Sequence, residues 1–256
     1  MATPYFQFQQ FTVHQDRCAM KVGTDGVLLG AWANGGRKIL DVGTGTGLIA
    51  LMMAQRFSGS SVEAIDIDAA ACKQAAENFM ASPFNQRLKV SNVSLQSFTI
   101  SRNSSDIVVN NHPSQLSTLG TNEEINDESV FFDSIVCNPP FFVNALKTPN
   151  AKRSIARHTE MLSHEELMTC VAQLLTSDGE FSAIIPFDVR AHFDSCAAIA
   201  GLFPSRVCGF KTSERKSVKR FLLAYKKEPV RIKQDTQMLM NSDEYHTLLR
   251  DFYLHF

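Results

Sequence analysis

Long apolar runs are missing from this 256-residue chain. None approaches the roughly 20 consecutive apolar residues a bilayer-crossing helix needs, so no membrane partner is expected. The first residues, MATPYFQFQQFTVHQDR, also lack the basic-then-apolar layout of a secretory leader. Closely spaced cysteine pairs are absent too. The six cysteines (18, 72, 137, 170, 196 and 208) are scattered, with no Cys-x-x-Cys. Most fall in apolar segments, where a free thiol behaves as a small hydrophobe. That distribution speaks against a metal site or a disulfide framework and points to a reducing cytoplasm.

A large net charge is lacking as well. Lys plus Arg number 25 against 26 Asp plus Glu, for a formal charge of −1. The total hides an uneven distribution. From Ser205 to Lys233 there are ten Lys/Arg against Glu214 and Glu228, and Lys147–His158 holds four Lys/Arg and no acid. Residues 101–130 reverse the sign, with one arginine and five acids. Local basic patches of this kind, not the total, are the footprint of a phosphate-rich partner.

What is present is alternation. Hydrophobic residues make up 44% and charged residues 20%, an ordinary balance for a chain with a sizeable core. Strand patterns at 37–42, 62–67, 88–91, 132–137 and 180–186 are interleaved with helical ones at 48–56, 69–80, 163–176 and 189–200. A terminal strand pair is expected at 207–211 and 220–226, and Ser242 is a good N-cap for a last helix. The alternation predicts an α/β fold: a doubly wound, mainly parallel seven-stranded sheet with a C-terminal antiparallel strand. One domain over 1–256 is expected, with 1–36 as a segment covering the site. Residues 101–130, rich in Asn and Ser, read as a polar insertion longer than an ordinary connection.

The first strand hands over to its helix through LDVGTGTGLIA. Gly43, Gly45 and Gly47 allow a tight turn and close approach of backbone to a ligand. A dinucleotide fingerprint would require Gly-x-Gly-x-x-Gly, and Leu48 stands at its sixth position. Asp66 ends the second strand 19 residues after Gly47, where a carboxylate can accept hydrogen bonds from two ribose hydroxyls. Asp68 is better suited to capping the next helix. With Asp41 ahead of the glycines, the loop resembles motif I of the class I S-adenosylmethionine-dependent methyltransferases. That resemblance implies S-adenosylmethionine as cofactor, with Asp41, Gly43, Gly45, Gly47 and Asp66 around it.

The fourth strand ends abruptly in Asn138-Pro139-Pro140-Phe141. Two prolines remove two backbone donors and stop any regular element. In a doubly wound sheet this point lies beside the glycine loop, where ligands bind. The Asn138 side-chain oxygen and the Pro139 carbonyl can each accept one N–H of a planar amino group. That localises its lone pair for attack on a methyl carbon, and Phe141 offers a face for an unstacked base, worth roughly 1–3 kcal/mol. A sulfonium methyl is already electrophilic, so positioning carries the rate and no metal is called for. The tetrad matches the (Asn/Asp/Ser)-Pro-Pro-(Tyr/Phe/Trp) signature of amino methyltransferases.

Three further stretches narrow the resemblance: FQFQQFTVHQDRCAMKVGTDGVLLGAWA at 6–33, RHTEMLSHEEL after the tetrad, and KRFLLAYKKE…YHTLLRDFYL near the end. Together they closely resemble the bacterial tRNA1(Val) (adenine(37)-N6)-methyltransferases, over nearly the whole chain except 101–130. The resemblance implies tRNA as partner and methylation of the adenosine just 3′ of the anticodon. Lys21, Thr24 and Asp25 are expected to fold over the cofactor, with Asp25 as helix N-cap the competing reading. Lys147, Lys152, Arg153, Arg157, Lys219 and Arg220 are expected on tRNA phosphates, His158 beside the substrate or structural. Trp32, Phe252, Tyr253 and Phe256 are expected in the core, and a monomer is expected.

Two features depart from the pattern. Asn92 and Ser94 stand where the third strand usually ends in an acid that bonds the cofactor adenine, and the 101–130 insertion is extra. Rival readings are a glutamine methyltransferase of release factors, a DNA adenine methyltransferase without a separate recognition domain, and a non-catalytic RNA-binding module.

Overall fold

The structure is a computed structural model that describes residues 3–18, 20–109, 131–139, 162–232 and 235–255. The described chain begins with an antiparallel hairpin of β1 (Tyr5–Gln7) and β2 (Thr12–His14). Next come α1 (Thr24–Trp32), β3 (Lys38–Val42), α2 (Leu48–Arg56), β4 (Ser61–Asp66), α3 (Ala69–Ala81) and β5 (Leu88–Asn92). α4 (Leu95–Val109), β6 (Phe132–Cys137), α5 (His164–Leu174), β7 (Leu175–Pro186) and α6 (Arg190–Ile199) follow. β8 (Phe203–Lys211), β9 (Arg220–Lys226), β10 (Asp235–Leu239) and α7 (Asp243–Leu249) complete the set.

The main sheet has the order β10-β8-β9-β7-β6-β3-β4-β5. β9 runs antiparallel to both its neighbours, and every other pairing in the sheet is parallel. The mainly parallel sheet and its antiparallel strand agree with the pattern read from the sequence. The strand count is corrected from seven to eight. β10 adds itself to the edge by pairing with β8 from Asp235↔Val207 to Leu239↔Lys211. Its sequence, DTQML, carries too few apolar residues to announce a strand, and pairing with β8 supplies what propensity does not.

Side chains alternate across the sheet with the period of two that strands impose. Ile39, Val136, Ile184 and Leu222 pack on the side of α1, α2, α3 and α7. Leu40, Ile135, Ile185 and Leu223 pack on the side of α4, α5 and α6. α2 is buried all round from Leu48 to Ala54, and each enclosed Leu or Met there stabilises the fold by about 1.5–3 kcal/mol.

Capping follows the sequence at three helices. Asp68 accepts from the Ala70 amide at α3, and Ser163 and Glu166 form the expected capping box at α5. Ser242 accepts from the Tyr245 amide at α7. α1 differs: its N-cap is Gly23, and Asp25 sits inside the first turn. The stretch read as an insertion, 101–130, begins inside α4, which continues to Val109. Arg102 ties that helix to β4 through an ion pair with Glu63, and its guanidinium lies over the Phe98 ring. Residues 110–130 lie outside the described residues.

Candidate active site

The turn from β3 to α2 has three glycines at positive φ: +69° at Gly43, +56° at Gly45 and +83° at Gly47. Two of them are glycine for different reasons. A Cβ on Gly43 would meet nothing within 4 Å, so this residue leaves space for a ligand. A Cβ on Gly47 would stand 2.5 Å from the Phe79 ring, so Gly47 serves packing against α3.

Asp41 lies beneath the loop, fully buried. Its Oδ2 accepts from the Thr44 hydroxyl at 2.6 Å and the Ala50 amide at 3.1 Å. Its Oδ1 has no hydrogen-bond partner among the described residues. Burial pushes this carboxyl up to about 7, against the opposing pull of those two donors. Asp66, at the end of β4, holds the loop from the side. Its Oδ2 accepts from the Gly45 amide at 2.8 Å and its Oδ1 from the Asp68 amide at 2.9 Å. Each oxygen keeps a second lone pair for another donor.

Two adjoining cavities of about 360 and 260 Å³ flank this loop. Lys21, Thr24 and Asp25 line the first, and Asp66, Gln96 and Leu162 line the second. Gly43, Gly45 and Asn138 line both. Seven residues singled out from sequence thus converge here: Lys21, Thr24, Asp25, Gly43, Gly45, Asp66 and Asn138. Asp41 and Gly47 line neither cavity and shape the loop from behind. Pro139 is buried directly after Asn138. Pro140, Phe141, Lys147, Lys152, Arg153, Arg157 and His158 lie outside the described residues, as does Phe256.

The Asn138 carboxamide is the decisive side chain. Its Oδ1 is buried and has no hydrogen-bond partner among the described residues. An unsatisfied buried acceptor costs roughly 1–3 kcal/mol, so such groups persist where function requires them. Asn138 itself is a lining residue of both cavities.

Several positioning residues were not evident from sequence. Asn78 of α3 is fully buried. Its Nδ2 donates to the carbonyls of His14 and Thr46, and its Oδ1 accepts from the His14 amide. One carboxamide therefore joins β2 to the glycine loop. Gln74, one helical turn earlier, accepts from the Arg17 amide, and Gln15 accepts from the Val22 amide. These three fix the N-terminal segment, whose Cys18, Met20, Lys21 and Gly23 belong to the cavity walls. The available signal was a pair of carboxamides four residues apart on an otherwise apolar helix face.

Electrostatics at the cavity mouth is set by pairs. Arg220 Nε donates to Asp25 Oδ2 at 2.9 Å, joining β9 to the start of α1. Arg206, counted in the basic stretch, is turned inward. It donates to Glu180 Oε1 at 2.7 Å, and its guanidinium lies 3.8 Å from the Trp32 ring centroid. Lys219 is exposed.

Comparison with known proteins fixes the family. A methyltransferase domain family model matches residues 39–126. The tRNA1(Val) (adenine(37)-N6)-methyltransferase of Parabacteroides distasonis is 41% identical, over 99% of each chain. The enzyme of the same name from Bacteroides fragilis is 42% identical, again over 99% of each. The chain belongs to this methyltransferase family. A solved structure, a predicted O-methyltransferase from Agrobacterium tumefaciens, superposes with a TM-score of 0.53 at 14% identity and 85% coverage of each chain. It agrees with the fold alone.

Members of this methyltransferase family take their methyl group from S-adenosylmethionine, and the residues present fit it. Gly43 leaves its cradle open, Asp66 has lone pairs to spare for ribose hydroxyls, and Asn138 faces the same space. At the end of β5, Asn92 is exposed and donates to the Asp66 carbonyl, so no acid stands there for the cofactor adenine. Gln96 and Leu162 line the cavity instead. Among the described residues, no helix is long and apolar enough to cross a membrane.

Proposed function

We propose that this chain methylates the exocyclic N6 of an adenosine in tRNA, the one at position 37 of tRNA1(Val), in the cytoplasm. The observation that carries the reading is Asn138, which lines both cavities beside the glycine loop and whose Oδ1 has no partner among the described residues. The relatives' activity supplies the substrate.

S-adenosylmethionine supplies an electrophilic methyl carbon on a sulfonium. The chain's own residues supply position. Asn138 Oδ1 accepts one N–H of the adenine amino group, and the Pro139 carbonyl is suited to accept the other. Two acceptors in the ring plane draw the nitrogen lone pair out of conjugation and hold it toward the methyl donor. Phe141 is assigned the face on which the extruded base stacks. Asp66 anchors the ribose of the cofactor, and Gly43 and Gly45 let the loop come close to it. Lys21, Thr24 and Asp25 close the other side. Phosphate contacts are assigned to Lys147, Lys152, Arg153, Arg157 and Lys219. Arg220 is assigned to holding α1 in place, since its fork already engages Asp25.

The test uses purified protein, methyl-labelled cofactor and unmethylated tRNA1(Val). N6-methyladenosine should form in the nucleoside digest and vanish when adenosine 37 is replaced by guanosine. Label that enters only a release-factor glutamine would overturn the reading.

A further inference from the structure

Away from the cofactor cavities, Glu165, His192 and Cys196 bring a carboxylate, an imidazole and a thiol to one point. One ligand atom from each lies within 4.8 Å of the others. His192 and Cys196 are four residues apart on α6 and so share a face. Glu165 comes from the first turn of α5.

Two of the three distances between the donor atoms match the edges of a coordination shell. His192 Nε2 stands 3.3 Å from Glu165 Oε1 and 3.7 Å from Cys196 Sγ. In a tetrahedral site, zinc holds N and O at about 2.0–2.1 Å and S at about 2.3 Å. Those bond lengths give edges of about 3.4 Å between N and O and about 3.6 Å between N and S. The observed pair differs from them by about a tenth of an ångström, with the same imidazole nitrogen in both.

Donor chemistry narrows the ion. A thiolate with an imidazole suits zinc and related transition ions and disfavours magnesium and calcium, which prefer oxygen. The sulfur is buried while the Glu165 and His192 side chains are 59% and 54% exposed, which leaves a path in from solvent. His164, next to Glu165, has its ring centroid 5.5 Å from that of His192.

We propose that Glu165, His192 and Cys196 bind a zinc-class divalent ion that clips the start of α5 to α6. The scattered cysteines speak against a metal site in sequence because these ligands come from two helices and form no short motif. Leu162, three residues before Glu165, lines the second cofactor cavity, so the ion fixes the helix start beside that wall. The proposal stands independently of the methyl-transfer reading.

The test uses the untagged full-length protein, freed of metal with a chelator and titrated with Co²⁺ and then Zn²⁺. One equivalent of Co²⁺ should bind with a thiolate-to-cobalt absorption band in the near ultraviolet. Zn²⁺ should displace it and raise the melting temperature. Cys196→Ser should abolish the band. His192→Gln and Glu165→Gln, at exposed positions that leave folding intact, should each weaken binding by more than about tenfold. Absence of the band in the native chain would overturn the proposal and leave a hydrogen-bonded ion pair without an ion. A band or affinity unchanged in the His192 and Glu165 variants would overturn it equally.

Discussion

Replacing Asp41 by asparagine should flatten the response of stability to pH between about 4 and 7. The native carboxyl is fully buried, with two donors on Oδ2 and none on Oδ1. Burial moves its pKa from an ordinary 3.8 to about 7. Between those values the folded chain keeps a proton that the unfolded chain has released. Stability is therefore greatest below the lower value and falls as pH rises to the upper one. The limiting slope is about 1.4 kcal/mol per pH unit for one proton. Asparagine cannot ionise, yet its side-chain oxygen still accepts from Thr44 and Ala50. Its amide nitrogen, where Oδ1 stood, adds a penalty of about 1–3 kcal/mol that does not vary with pH. Urea unfolding of both proteins at half-unit steps from pH 4.5 to 8 isolates the effect. The gap in stability between variant and native protein should move in the variant's favour up to pH 7 and then stay level. Two curves running parallel throughout would refute the assignment of this titration to Asp41.

Gly47→Ala meets both a φ of +83° and the Phe79 ring, and should destabilise by about 2–5 kcal/mol in thermal or chemical unfolding. Asp66→Asn weakens the charge-assisted bonds from the Gly45 and Asp68 amides and the ribose anchor, so cofactor affinity by calorimetry should fall about 10–100-fold. Glu180→Ala strands Arg206 beside Trp32. Arg206 keeps part of its exposure, so the loss should be about 2–3 kcal/mol, less than for a fully enclosed pair.

The region from Lys38 to Asp66 was legible because strand period, glycine turn, helical run and terminal acid follow one another in order. Asn138 was legible because consecutive prolines after an apolar run have few structural uses. Ser163 with Glu166, and Ser242, were legible because capping is local chemistry. Pairing across distance was not. β10 is polar and forms by addition to β8, so its own residues do not announce it. The end of α4 is Ser- and Asn-rich, yet Arg102 and the ring of Phe98 hold it against the sheet. Gln74 and Asn78 stand out only as two carboxamides on an apolar helix face, and their partners, like that of Gln15, are backbone groups of the N-terminal segment. The motif reads Asp41 and Gly47 as cofactor contacts; neither lines the two cavities, and both hold the loop's shape.

The central claim is that the Asn138 carboxamide holds the target amino group while other residues hold the methyl donor. Comparing native protein with Asn138→Ala by calorimetry for S-adenosylmethionine and by nucleoside mass spectrometry of tRNA1(Val) tests it directly. Cofactor affinity should stay within about threefold, and N6-methyladenosine should drop at least about a hundredfold, the scale of losing a positioning contact. Methylation that persists at native rates in this variant would contradict the account.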